Sequence, residues 1–263
     1  PDDVLPVLAA DLERAWLLLP DGGEVLRHVL TGSADDLLAH WSAILPQLAA
    51  LQIDLTADAV HLLSLGVMDR RPSALPALYH DLLARTEHWP LDHPDGLSRD
   101  DLPRLQAFAP RLSSLCEELA ALGPPDTLVH DDLHDGHIFV QSDGDGPRYR
   151  FFDYGDGCVG HPFFQLIAPQ RFYARAYDEL ELDEAAVQSL YELYTSTWDD
   201  MPATDRRRAR QLALAIGPLI RALTWYNALG PHYPDIEPEL MSYYARGMGY
   251  WLSEVVARCE SLG

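Results

Sequence analysis

The strongest constraint on this chain is a pair of short apolar runs, each ending in a carboxylate and joined by a stretch built to turn. Thr127 to His130 leads to Asp132, and Tyr149 to Phe152 leads to Asp153. Between them, Ile138 to Gln141 alternates apolar and polar residues like a strand, and Ser142 to Pro147 is dense in turn formers. The pattern predicts a hairpin from about Ile138 to Phe152. Such a hairpin would bring Asp132 and Asp153 to one edge although they lie 21 residues apart. Acids delivered from two strand ends suit two tasks, orienting an attacking hydroxyl and holding a divalent ion.

Read in order, the residues His130-Asp-Asp-Leu-His134-Asp-Gly-His137 followed by Phe151-Phe-Asp153 resemble the aminoglycoside phosphotransferase and choline kinase family. That family shows His-Gly-Asp-Leu-His-x-x-Asn, a hairpin, then two apolar residues and Asp. It has a protein-kinase-like fold and moves the γ-phosphoryl of a nucleotide to a small-molecule hydroxyl. The resemblance implies that Asp132 is the catalytic base that accepts the hydroxyl proton. It implies that Asp153 ligates the magnesium bridging the phosphates of ATP or GTP. Here Asp131 replaces the family's Gly, and His137 replaces its metal-ligating Asn. An imidazole at that place suits Mn2+ better than Mg2+, so His137 is a candidate metal ligand or a side chain turned to another partner. His130 and His134 are expected to support the loop through hydrogen bonds. Gly160-His-Pro-Phe-Phe-Gln-Leu166 is similar to the family's Gly-Asp-Pro-x-x-Asp-Leu, and Ala15 to Arg27 looks like the strand and hinge between the lobes.

Residues 1–30 are then expected to be a remnant of N-lobe strands and the interlobe hinge. Residues 31–263 would form a helical C-lobe carrying the catalytic loop (128–140) and the metal-binding segment (149–156). The fold class is α+β, mainly α with a small β component. All 19 basic residues are arginine, so the lysine with which the family clamps nucleotide phosphates is absent, and no strand-loop-strand of that kind precedes Trp16. Either the N-lobe lies outside these residues or the protein is a natural form without one. On this reading the 263-residue chain alone would not turn over nucleotide. A non-catalytic, pseudokinase-like binding protein is the alternative. A metal-dependent hydrolase is the weaker one, and it would need His130, His134 and His137 to converge on a metal, which i, i+4 spacing achieves only on a helix.

A net charge of −22 argues against a nucleic-acid partner, whose phosphates would be repelled, and would favour a cationic small-molecule substrate. An acidic surface that serves solubility explains the same charge. Cys116, Cys158 and Cys259 form no paired spacing and predict reduced thiols in a cytoplasmic protein. The most apolar stretch, Leu212 to Ile220, is bounded by Arg210 and Arg221 and is too short to cross a bilayer, so no membrane partner is expected.

Helical periodicity covers most of the rest. Ser33 caps a run from Ala34 to Leu51, and further helices start near Thr56 and Ser73. Another spans Ser98 to Leu122, stopped by Gly123-Pro-Pro125. Later runs are Pro162 to Leu180, Asp183 to Trp198, Thr204 to Leu229 and Ile236 to Ser261. Arg206 to Arg210 reads as a solvated first turn. Trp225, Tyr226, Tyr243 and Tyr244 fit core packing or the wall of a substrate pocket in the acidic C-terminal helical region.

Overall fold

Ser33 sets the first long helix by accepting a hydrogen bond from the Asp36 amide at 3.1 Å, with Asp35 and Asp36 placed against the positive end of the dipole. In this computed structural model, which describes residues 2–142, 146–167 and 184–262, that helix runs Ala34–Asp54 (α2). It follows two short strands, β1 (Ala9–Asp11) and β2 (Trp16–Leu18), then β3 (Glu24–Val25) and a single helical turn, α1 (Leu26–Val29). Next come α3 (Ala59–Ser64), β4 (Met68–Arg70), α4 (Leu75–Ala84) and α5 (Leu102–Leu122). Strands β5 (Thr127–Val129), β6 (Ile138–Ser142), β7 (Pro147–Phe151) and β8 (Cys158–Gly160) follow. The C-terminal part holds α6 (Glu184–Ser196), α7 (Ala203–Ile216), α8 (Pro218–Leu229) and α9 (Pro238–Ser261).

The hairpin forms as read, with β6 and β7 antiparallel and Ile138 opposite Phe151. Its alternation decides its faces. Ile138, Val140, Tyr149 and Phe151 point into the core, whereas Phe139 lies on the other face and stacks on Phe152 with centroids 4.1 Å apart. β3 adds a third strand beside β6. A second sheet, which the sequence did not announce, places β8 between β4 (parallel) and β5 (antiparallel). Its strands are three residues each, below the length at which alternation can be recognised.

The core is one cluster shared by α2, α5, α7, α8, α9 and the inner faces of the sheets, with Trp41, Leu112, Leu212 and Trp251 almost wholly buried. A polar thread runs through it. Thr127 Oγ1 donates to the Gln52 carbonyl at 2.6 Å, Gln52 Nε2 donates to the Leu128 carbonyl at 2.9 Å, and the Tyr194 hydroxyl donates to Gln52 Oε1. α2, β5 and α6 are thereby locked in register immediately before the loop that begins at His130.

Several expectations need correction. The Thr204–Leu229 run is two helices, because Pro218 has no amide to donate and the chain breaks at Gly217. Pro162 to Leu166 is a 3₁₀ turn, and the rest of that expected helix, 168–180, lies outside the described residues. The apolar stretch is also longer than its central piece: the most apolar 18-residue window within Ala203–His232 reaches a mean hydropathy of 1.2, and two thirds of that window is buried inside the protein. Arg206–Arg210 is no solvated turn. Arg208 forms a two-pronged ion pair with Glu118 of α5, and buried Arg210 reaches Glu192 of α6 at 2.8 Å. The aromatic set divides, since Tyr244 is buried and donates to the His88 carbonyl, whereas Tyr243 is half exposed against Trp225. The three cysteines are buried and unpaired. At the N-terminal end, β1 and β2 pair only with each other among the described residues and expose Leu8, Trp16, Leu17 and Leu18, so this ribbon presents an apolar surface.

Candidate active site

β5 delivers the chain into the loop at His130, whose amide donates to Gln165 Oε1 at 2.9 Å. Asp131 then turns left-handed, with φ +61°. This is the conformation that glycine adopts most easily and that Asp tolerates better than most residues. Its side chain fills the site: Oδ2 accepts from Thr224 Oγ1 at 2.6 Å and from Arg221 Nη1 at 3.2 Å. Arg221 also donates to the Asp131 carbonyl and, through Nη2, lies 2.9 Å from Asp132 Oδ1. Asp156 stands 3.8 Å from the same guanidinium. One buried arginine on α8 thus gathers three carboxylates. Burial works against its charge, but Asp131, Asp132 and Asp156 outweigh burial and raise its pKa.

Asp153 follows β7 and is also left-handed, at φ +64°. His137 joins it to the loop. The His137 Nδ1 atom lies 2.9 Å from the Asp132 carbonyl oxygen, which can only accept, so Nδ1 carries the proton. Nε2 sits 3.3 Å from Asp153 Oδ2. In this tautomer a lone pair therefore faces a carboxylate, an arrangement that a metal cation between them resolves. Two ligands bound at about 2.1 Å with perpendicular bonds lie about 3 Å apart, so this pair fits a divalent cation. The donation from Nδ1 to a backbone carbonyl is also the usual way of orienting a ligating imidazole.

Asp132, His134 and His137 all present ligand atoms within 4.8 Å of one another. His134 is nonetheless committed elsewhere. Its Nδ1 accepts from the Gly136 amide at 2.9 Å and from Arg27 Nη2 at 3.1 Å, which leaves the proton on Nε2 and no lone pair for a metal. Nor does His130 converge on the cluster: its Nε2 donates to the Phe152 carbonyl at 2.7 Å, and burial lowers its pKa. The tri-histidine arrangement is therefore not formed, and His130 and His134 sit where hydrogen bonds brace the loop.

Arg27 on α1 closes the loop from the other side, with Nη2 at 2.7 Å from Asp135 Oδ1. Burial would raise the Asp135 pKa, but the His134 ring beside it and the hydrogen bonds and charge of Arg27 prevail and hold it at about 2. A Cβ at Gly136 would lie 2.6 Å from the His134 ring and 2.9 Å from Arg27 Nη2, so a side chain there would push both braces aside. Where the resembled pattern places two acids, His161 caps the Pro162 turn by accepting from the Phe163 amide, and Gln165 carries the bond to His130.

Asp132, Asp153, His137, His130 and His134 are thus brought together on one wall. Sequence reasoning missed Arg221 and Thr224. A signal existed, since an arginine inside a run as apolar as Leu212 to Leu223 is costly unless its charge is met by partners. Their identity was not legible, because Arg221 lies 90 residues from Asp131.

No sequence profile of a known family matches the chain, and no curated protein matches it. Solved structures do. An ethanolamine kinase from Plasmodium vivax superposes with a TM-score of 0.57 at 16% identity, over 92% of this chain and 63% of that one. A Ralstonia eutropha protein provisionally assigned as an aminoglycoside phosphotransferase gives 0.59 at 14% identity, over 98% and 78%. A choline/ethanolamine kinase family protein from Mesorhizobium loti gives 0.53 at 13%, over 99% and 80%. The chain shares the fold of these proteins, and it spans under two thirds of the length of the ethanolamine kinase.

Proposed function

We propose that this chain belongs to a small-molecule phosphotransferase, which moves the γ-phosphoryl of ATP or GTP to a substrate hydroxyl. The observation that carries the proposal is the wall on which His137 sits between Asp132 and Asp153. Asp132 orients the hydroxyl and takes its proton, and its side chain is 30% exposed, which leaves it open to a substrate. Asp153 and His137 hold the divalent ion, Mg2+ or Mn2+, which when bound neutralises phosphate charge. Arg221 keeps the Asp132 carboxylate pointed into the cleft, and Thr224 and Asp131 keep Arg221 in place. Net charge supports a cationic substrate and speaks against nucleic acid as a partner, and the three unpaired cysteines suit a cytoplasmic location.

A second reading has its own support. The salt bridge from Arg221 to Asp132 occupies one of the two oxygens that a base would offer, as expected of a protein that binds nucleotide without transferring phosphate. The absence of lysine supports the same limit for these 263 residues taken alone.

Titration calorimetry with ATP or GTP in the presence of Mg2+ or Mn2+, joined to turnover by the intact gene product, separates the readings. Asp153→Ala should weaken metal–nucleotide binding at least ~10-fold, on the scale of a lost metal ligand. Asp132→Asn should leave that binding unchanged and cut kcat by at least ~10²-fold. Reversed effects would refute the role assignment, and binding without any Asp132-dependent turnover would establish the non-catalytic reading.

A further inference from the structure

Arg70, at the end of β4, is only 4% exposed, yet no carboxylate lies within ion-pairing distance of it among the described residues. Its hydrogen bonds are poor. Nη1 donates to the Asp69 carbonyl at 3.3 Å, Nη2 reaches the thioether sulfur of Met68 at 3.6 Å, and Nε has no acceptor. The nearby Asp69 carboxylate is taken by Arg71, with both oxygens engaged. Asn227 directs its amide at the same Met68 sulfur, at 3.2 Å. Two strong donors thus converge on a weak acceptor, where an oxygen would serve both better.

Arg70 also lines a cavity of about 170 Å3 between α4 and α8. The walls are Leu78, Leu82, Leu223 and Tyr226, with Asn227, Arg85 and Asp81 completing the lining. Arg85 has no ion pair among the described residues, so two arginines face one aspartate around the space. At a liquid-volume share of roughly 30 Å3 per water, the cavity has room for roughly five or six heavy atoms. A buried guanidinium without a counter-charge is expensive, and an anion that desolvates with it removes the expense.

We propose that the cavity is a binding site for a small organic carboxylate, whose carboxyl group pairs with Arg70 and whose short hydrocarbon part lies against Leu78, Leu82 and Leu223. The leucine walls select a carboxylate carrying an alkyl group over inorganic phosphate, whose faces are all polar. None of the lining residues belongs to the Asp132–Asp153 wall, and the inference does not rest on the phosphotransferase reading.

Butyrate is the probe, titrated into the full chain by calorimetry and by ligand-observed NMR at constant ionic strength. We expect a Kd of about 1 mM, a realistic affinity for six heavy atoms. The neutral isostere butanamide and inorganic phosphate should each bind at least ~10-fold more weakly, and Arg70→Met should weaken butyrate by the same factor, since a lost charge pair is worth about that much. Leu78→Trp fills the cavity, leaves Arg70 in place and should also abolish binding, so the test survives if one variant folds badly. Butanamide equal to butyrate, phosphate tighter than butyrate, or affinity unchanged in either variant would overturn the proposal.

Discussion

Arg221 and Arg70 are both buried arginines, and they behave in opposite ways. Around Arg221, Asp131, Asp132 and Asp156 more than compensate burial, and the guanidinium pKa rises. Around Arg70, burial prevails over the weaker fields of Asp131 and Asp69, and the pKa falls. Burial alone therefore says little about a charge. What matters is whether acceptors were brought to it during folding. The saturated arginine marks a region in its final arrangement, and the unsaturated one marks a region that a ligand would complete.

The largest effect expected from this contrast is at Arg221. Arg221→Met should destabilise the protein by about 3–5 kcal/mol, because Asp131 would be left buried with an uncompensated charge. Chemical denaturation measures it, and a loss below about 1 kcal/mol would mean that water reaches the cluster and that the contrast with Arg70 is illusory.

A neutral buried group supplies the next test. His161 is fully buried between the Gly123 carbonyl and the Phe163 amide, and burial depresses its pKa to about 4. The unfolded chain takes up this proton near pH 6.5, so between pH 6.5 and 4 the unfolded state binds more protons. Stability is then full above pH 6.5 and falls as the pH drops towards 4, by about 3 kcal/mol from this one residue. His161→Asn keeps the cap and removes the titration, so its stability–pH curve should be flatter in that window. A curve parallel to the wild type would sink the assignment.

Asp131→Gly restores the residue of the resembled pattern and relieves the left-handed strain, but it removes the partner of Thr224 and Arg221. We expect a net loss of about 1–3 kcal/mol, the scale of a lost charged hydrogen bond. In a double-mutant cycle with Arg221→Met the two losses should be strongly non-additive, and simple addition would show that the pair does not interact.

The smallest effect belongs to Arg70. With no anion present, Arg70→Met should leave stability unchanged or raise it by up to about 1–2 kcal/mol, since it removes an unpaired buried charge of similar length. A loss as large as that at Arg221 would reveal a counter-charge and erase the distinction between the two sites.

Much of the architecture was legible because it is local. Ser33, the apolar spacing along α2 and the Gly123 stop each act within a turn or two of chain, and the 3.6-residue period is stated many times over in helices as long as α5. The hairpin was legible for the same reason, with its turn residues and its alternating inner face close together in sequence. So was the approach of Asp153 to the loop that carries Asp132, which His137 bridges, since one hairpin separates them. Three-residue strands such as β4 and β8 were not, because nothing shorter than a period can display one. The break between α7 and α8 was obscured by an apolar pattern that runs across Gly217-Pro218.

The sequence by itself determined which residues could do chemistry, namely the carboxylates and imidazoles between His130 and Asp153, and which segments would be helical around them. Only the tertiary structure decided their states. It placed Arg221 against Asp132, spent the His134 lone pair on Gly136 and Arg27, turned His137 Nε2 towards Asp153, and left Arg70 beside a cavity with a sulfur for a partner. The physical reason is one of range. Helix and turn preferences depend on neighbours a few residues away, whereas the state of a charge or an imidazole depends on whichever groups the folded chain brings within about 4 Å, where electrostatic terms are largest.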